Sequence, residues 1–295
     1  MSVEFFIEDT KYNGNLTLGQ MVEIGQNISH YDGFAEYSFH KIKQYVSIFL
    51  GQENVSAMGF ELSYKSKKKS YCIKLDTPCS TGDFKVIFDY IKKLCAFLGT
   101  NKVLTKKGEE YTADNIEEYP YVEQIMTCLK QTMKAFKKQK EPDTIELSGI
   151  NRDVSFNEEM FKEIMESNDP VERFSEFVTN VQKIKAATPR QEIHLGSYIG
   201  VYTLTETVRT ILPFKPVVDE KNKQIFIRDD MIDYWDLNLV VIEGDPNNIK
   251  SYRVLGSIKY ADFIAKLPKD KYHFIDASYI CVEGLNREEI EHLLK

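Results

Sequence analysis

The apolar and polar positions of this chain fall into stretches of two periods. Between residues 60 and 76 the period is two. Phe60, Leu62 and Tyr64 alternate with Glu61 and Ser63, and Tyr71, Ile73 and Leu75 alternate with Cys72, Lys74 and Asp76 around a polar turn at 65–70. Such alternation predicts a β-hairpin with one buried face. Pro78 ends the ladder, because it has no N–H to donate. The period then becomes helical: Phe84, Ile87, Phe88, Ile91, Leu94, Cys95 and Leu98 share a face, Ser80 and Asp83 have the spacing of a capping pair, and Gly99 stands at a C-cap position.

The same two periods organise the rest. Strands are expected at 3–8, 144–147 and 193–204, and hairpins at 103–112, 217–227 and 237–258, with strands again at 272–275 and 279–282. Helices are expected at 16–28, 40–50, 121–138, 160–165, 174–184 and 261–267. A last helix starts from Asn286 with Glu289 as its capping partner. Residues 208–212 read as helical or irregular. Strands joined mostly by hairpins, with helices clustered between them, give an α+β class built from antiparallel hairpins and amphipathic helices.

Charge divides the chain. Residues 1–140 hold 19 lysines, no arginine and 17 acidic residues, whereas 141–295 hold 19 basic and 28 acidic residues. The charged, apolar-free stretch 137–143 containing Pro142 reads as a linker. The expectation is two α+β units, a Lys-rich, Arg-free one at 1–140 and an acidic one at 141–295. An acidic second half disfavours nucleic acid as its partner, since a phosphate backbone needs basic surface. No apolar run approaches the roughly 20 residues of a membrane span. The start lacks the basic and long apolar segments of a signal peptide, and five cysteines form no Cys-x-x-Cys pair. A cytoplasmic protein is therefore expected.

Candidate chemistry is sparse. Asp229, Asp233 and Asp236 would share a face if 229–236 were helical, and carboxylates so placed suit a hard cation. The spacing matches no known metal loop and lacks the glycine of a Ca²⁺ loop, so a solvated acidic turn leading into the strand at Leu237 is the better reading of these residues. Lys65, Lys67, Lys68 and Lys69 form a basic hairpin tip that suits an anionic partner, or simply stays in water. Tyr234 and Trp235, flanked by carboxylates, suit a contact patch or core packing. Gly196-Ser197-x-x-Gly200 lacks the spacing of a nucleophile elbow. The five histidines form no metal-binding pair. Phosphate-loop and dinucleotide motifs are missing, so no cofactor and no catalytic residue is expected.

The residues Gly59-Phe60-Glu61-Leu62-Ser63-Tyr64, Tyr71, Thr77-Pro78 and Gly108-Glu109-Glu110-Tyr111-Thr112 resemble a family of uncharacterised bacterial proteins of about 300 residues, a domain of unknown function. The resemblance implies a bacterial, intracellular protein and carries no activity. Two functions follow as expectations. The first is a non-enzymatic protein that binds another macromolecule, namely a protein. The alternative is a metal-dependent hydrolase or small-molecule enzyme using the acidic cluster.

Overall fold

The hairpin at residues 60–76 is the centre of the largest sheet. In the computed structural model, which describes residues 2–30, 39–44, 47–138, 144–188, 191–194, 196–223 and 226–295, the chain forms two compact units, Met1–Lys183 and Ile184–Lys295. The fold is α+β.

In the first unit, β1 (Ser2–Glu8) is followed by α1 (Leu18–Gly25), β2 (Ser29–His30), β3 (Ile48–Gly51), β4 (Phe60–Lys65) and β5 (Ser70–Asp76). Then come α2 (Thr81–Leu98), β6 (Lys102–Thr105), β7 (Glu110–Thr112) and α3 (Tyr121–Lys138). Two short strands, β8 (Ile145–Leu147) and β9 (Val154–Phe156), precede α4 (Glu158–Glu166) and α5 (Pro170–Lys183). Seven strands form an antiparallel sheet in the order β2-β3-β4-β5-β1-β6-β7. Its inner face carries Val3, Phe5, Ile7, Phe60, Leu62, Tyr71, Ile73, Leu75 and Val103. All join one core with α1–α5. The alternation seen in the sequence is the division between that core and the opposite face.

The ends of these elements are chemically fixed. Ser80 and Asp83 form the expected capping box, and Gly99 closes α2 at φ 72°. Asp83 does more than cap. Its buried carboxylate accepts the N–H groups of Ala57, Met58, Gly59 and Ser80 and the Ser80 hydroxyl, at 2.8–3.2 Å. One side chain thus ties the entry of β4 to the start of α2. Burial pushes the Asp83 carboxyl up, against the pull of the Ser80, Gly59 and Met58 donors. Asp9 does similar work after β1, accepting from the N–H groups of Lys11, Tyr12 and Gly14. Gly14 has φ +71°, and a Cβ there would fall 2.5 Å from the Tyr64 ring, so only glycine fits this turn.

The second unit contains β10 (Glu192–His194), β11 (Ile199–Thr205), β12 (Thr210–Pro213), α6 (Glu220–Lys223), β13 (Tyr234–Ile242) and β14 (Tyr252–Lys259). It ends with α7 (Tyr260–Lys266), β15 (Tyr272–Phe274), β16 (Tyr279–Val282) and α8 (Arg287–Leu293). Its sheets run β10-β11-β13-β14 and β12-β16-β15. Leu237, Leu239, Val241, Phe263, Leu285, Ile290 and Leu293 are in its core. Asn286 and Glu289 form the expected capping box.

Several expectations are corrected. The helix at 40–50 is a short 3₁₀ turn at Ile42–Gln44 followed by β3, with residues 45 and 46 outside the described residues. Its few apolar positions fit either period, and pairing with β4 decides. The single strand at 193–204 is two antiparallel strands, β10 and β11. Residues 208–212 lead into strand β12, which pairs with β16. The hairpin at 217–227 is instead the short α6, with 224 and 225 outside the described residues. β11 pairs with β13 in parallel, which hairpins alone do not produce. The expected break at 140 also differs from the observed grouping. Val154, Phe156, Phe161, Phe174, Val178 and Val181 share the core of the first unit, so the compact unit runs to Lys183. Of the expected linker 137–143, residues 139–143 lie outside the described residues.

Candidate functional site

Antiparallel sheets leave one face to water when helices cover the other. On the seven-stranded sheet that open face carries the side chains that alternate with the core set. Across its centre run Ser63, Cys72, Phe6 and Leu104, neighbours by strand register. Phe6 and Cys72 are 8% and 2% exposed, yet they lie outside the core cluster. Phe6 is covered from above. The Lys68 ammonium stands 3.9 Å from the centroid of the Phe6 ring, a cation–π contact. Burial pushes the Cys72 thiol up, and the nearby Lys65 charge opposes this.

Beside this centre lies a groove of about 520 Å³ lined by Phe6, Leu104, Ser70, Thr105, Glu8, Lys68, Lys102 and Lys106. Phe6 and Leu104 make its floor. Lys68 and Lys102 stand at one end, and Lys106 stands at the other, where its N–H continues the ladder to the Glu4 carbonyl at 3.0 Å. Lys106 pairs with Glu4, and Lys102 with Glu110 at 2.6 Å. Burial tends to raise the Glu4 carboxyl, but Lys106 and the Ser2 hydroxyl outweigh it and hold it below the usual value. Lys68 has its ring contact and, among the described residues, no carboxylate within ion-pair distance.

The hairpin tip is thus part of a larger arrangement. Lys65, Lys67, Lys68 and Lys69 are all exposed. Residues 66–68 form a 3₁₀ turn, and Lys69 takes a left-handed conformation at φ 48° that returns the chain to β5. The aromatics flanking this tip are not available to a partner. Tyr64 and Tyr71 point into the core at 8% and 0% exposure. Reading the tip alone missed Phe6, Leu104, Lys102 and Lys106. Their signal was Phe5-Phe6: in a strand two adjacent aromatics cannot share a face, so one of them faces away from the core.

The acidic stretch is not brought together. Asp229–Met231 is a 3₁₀ turn, and β13 begins at Tyr234, so the helical face that would align Asp229, Asp233 and Asp236 is not formed. Asp229 accepts the Val218 N–H, and Asp236 pairs with Lys259 at 3.1 Å. Asp233 is exposed. Among the described residues no three His, Cys, Asp or Glu side chains converge as a metal site would require.

Tyr234 and Trp235 part company as strand neighbours do. Trp235 turns inward, stacking on Tyr202 at 5.3 Å over Gly200, where a Cβ would fall 2.2 Å from the indole. Tyr234 faces outward, 40% exposed, with the Lys259 ammonium 3.2 Å from its ring centroid. His194 and Ser197 lie on either side of the β10–β11 turn, where the Ser197 N–H donates to the His194 carbonyl. His273 is exposed, whereas Asp276 is buried and accepts from the N–H groups of Ser278 and Tyr279.

The comparisons with known proteins carry no chemistry. A family model described as Domain of unknown function (DUF4299) matches residues 2–293. The chain belongs to this family. No curated protein and no solved structure matches it. No helix among the described residues is long and apolar enough to cross a membrane.

Proposed function

We propose that this protein is a non-enzymatic binder of another macromolecule, a protein, working in the cytoplasm and holding that partner on the open face of the seven-stranded sheet. One observation carries the reading. Residues from β1, β5, β6 and both flanking turns converge on a groove with an apolar floor and lysines at its ends. Lined surfaces of this kind, apolar at the centre and charged at the rim, suit protein association. The five free, buried cysteines accord with a reducing compartment.

The test is site-specific photocrosslinking in cells. A benzoylphenylalanine at Lys102 is expected to trap a discrete protein, and Lys68→Glu is expected to remove that adduct. The same probe at Glu291, on α8, is expected not to trap it. Adducts that are identical from both positions, or none from the groove, would refute the reading.

A further inference from the structure

We infer that the groove takes a short extended segment of a partner protein with the side-chain pattern acidic–x–apolar–x–acidic. This rests on the function proposed above and names the partner's chemistry.

The argument starts from spacing. Lys102 and Lys106 are four residues apart along β6 and its continuation, about 13 Å at the rise of an extended chain. An extended segment laid along β1 and β6 directs its residues i, i+2 and i+4 toward the sheet over that same length. The middle of the groove is Phe6 and Leu104, which offer carbon surface and no charge. Each end presents ammonium groups, Lys68 and Lys102 at one and Lys106 at the other. An apolar side chain at i+2 therefore rests on Phe6 and Leu104, and carboxylates at i and i+4 meet lysines.

The carboxylates already present do not block this. The Lys102–Glu110 pair lies at the surface, and such a pair exchanges at small cost, whereas Glu4 is only 17% exposed, so Lys106 keeps Glu4 and offers its remaining ammonium hydrogens to the incoming carboxylate. Glu8 is exposed at the Lys102 end and repels an acidic residue placed directly over it, which assigns the segment's first carboxylate to the Lys68 side. Lys68 is the residue that must move. Its ammonium leaves the Phe6 ring and gains a carboxylate, exchanging a cation–π contact for a charge-assisted hydrogen bond.

A protein segment fits better than nucleic acid for a stated reason. Binding a single strand relies on aromatic rings that stack on bases. Tyr64 and Tyr71 are turned into the core, which leaves Phe6 as the one ring in the groove lining, and a single ring does not make a track for successive bases. The basic residues here are all lysine, which lacks the planar fork that reads phosphate in a bidentate way.

The test uses the full chain and two fluorescein-labelled peptides of one composition at low ionic strength, read by anisotropy. One is Ser-Glu-Ser-Leu-Ser-Glu-Ser and the other Ser-Glu-Glu-Ser-Ser-Leu-Ser. The patterned peptide is expected to bind, and the rearranged one about fivefold more weakly, because it cannot seat its leucine and both carboxylates together. Lys68→Glu is expected to weaken the patterned peptide by about tenfold, and Lys130→Glu, on α3, to leave it unchanged. Equal binding of the two peptides overturns the pattern. No binding of the patterned peptide overturns the proposal, as does tighter, Lys68-dependent binding of an oligothymidylate. If the peptides fail while the Lys102 photocrosslinker still traps a protein in a Lys68-dependent way, the proposed function stands with a different partner chemistry. If the crosslinker also traps nothing, both fall.

Discussion

The lysine-rich tip at 65–69 and the acidic stretch at 229–236 look alike as sequence, each a short run of one charge beside aromatic residues. The structure treats them differently. The tip closes a hairpin whose strands lie inside a seven-stranded sheet, so residues distant in sequence, Phe6 and Leu104, arrive beside it through register. The acidic stretch is a 3₁₀ turn running into β13, where Asp229, Asp230 and Asp236 each meet a separate local partner and Asp233 is exposed. A charge run becomes a candidate site when the sheet brings residues distant in sequence to it. Within its own few residues it only solvates a turn.

The contrast breaks first if the tip's framework is not fixed. Asp83→Ala removes the acceptor of four N–H groups and one hydroxyl at the junction of β4 and α2. With those donors buried and unpaired, the expected loss is about 4 kcal/mol in urea unfolding, the largest of any change considered. A loss under about 1 kcal/mol would show that the hairpin is held by packing alone.

The acidic side of the contrast rests on Trp235 being core. Gly200→Ala places a Cβ 2.2 Å from the indole, so the ring must give up its present stack on Tyr202. The expected cost is about 2 kcal/mol. Because Trp235 is the single tryptophan, its emission is expected to shift to longer wavelength in the variant. Unchanged stability and emission would return Trp235 to the surface as a contact residue. A smaller effect separates the carboxylates from one another. Asp229→Ala loses the acceptor of the Val218 N–H and is expected to cost about 1 kcal/mol, whereas Asp233→Ala stays within about 0.5 kcal/mol. Equal costs for the two would mean that they work as a unit.

Much of the first unit was legible because its signals are local and redundant. The hairpin at 60–76, α2 with its Ser80–Asp83 box, and α3 each combine a clear period with chemical end marks. β3 reads as helix in the sequence because Ile42, Tyr45, Val46 and Phe49 fall at helical spacing, and only pairing with β4 settles it. β12 and the parallel pairing of β11 with β13 are long-range choices that no window of sequence contains. The compact unit's end at Lys183 is of the same kind, since it depends on Phe156, Phe161 and Phe174 packing into a core built mainly from residues before 140. For the site, Lys68 was visible, and the floor and the other two lysines, Lys102 and Lys106, were not. The outward turn of Phe6 follows from register alone.

The smallest effect on stability is expected at the groove itself, with a large effect on a different observable. Lys68→Ala removes an exposed ammonium and its ring contact, and folding stability is expected to change by no more than about 0.5 kcal/mol. The thiol of Cys72 lies on the same face, 2% exposed, while Cys79, Cys95, Cys128 and Cys281 are buried elsewhere. Uncovering the face opposes two influences on that thiol. Losing a positive charge disfavours the thiolate, whereas easing burial favours both the thiolate and the approach of a reagent. Lys68 is the weakest of the charges acting on this thiol, so the gain in access is expected to dominate: one thiol reacts several-fold faster with Ellman's reagent under native conditions, and Cys72→Ser abolishes the change. An unaltered rate would mean that Lys68 does not lie over the face as a movable cover, and the apolar floor would then be closed to any partner that must displace it.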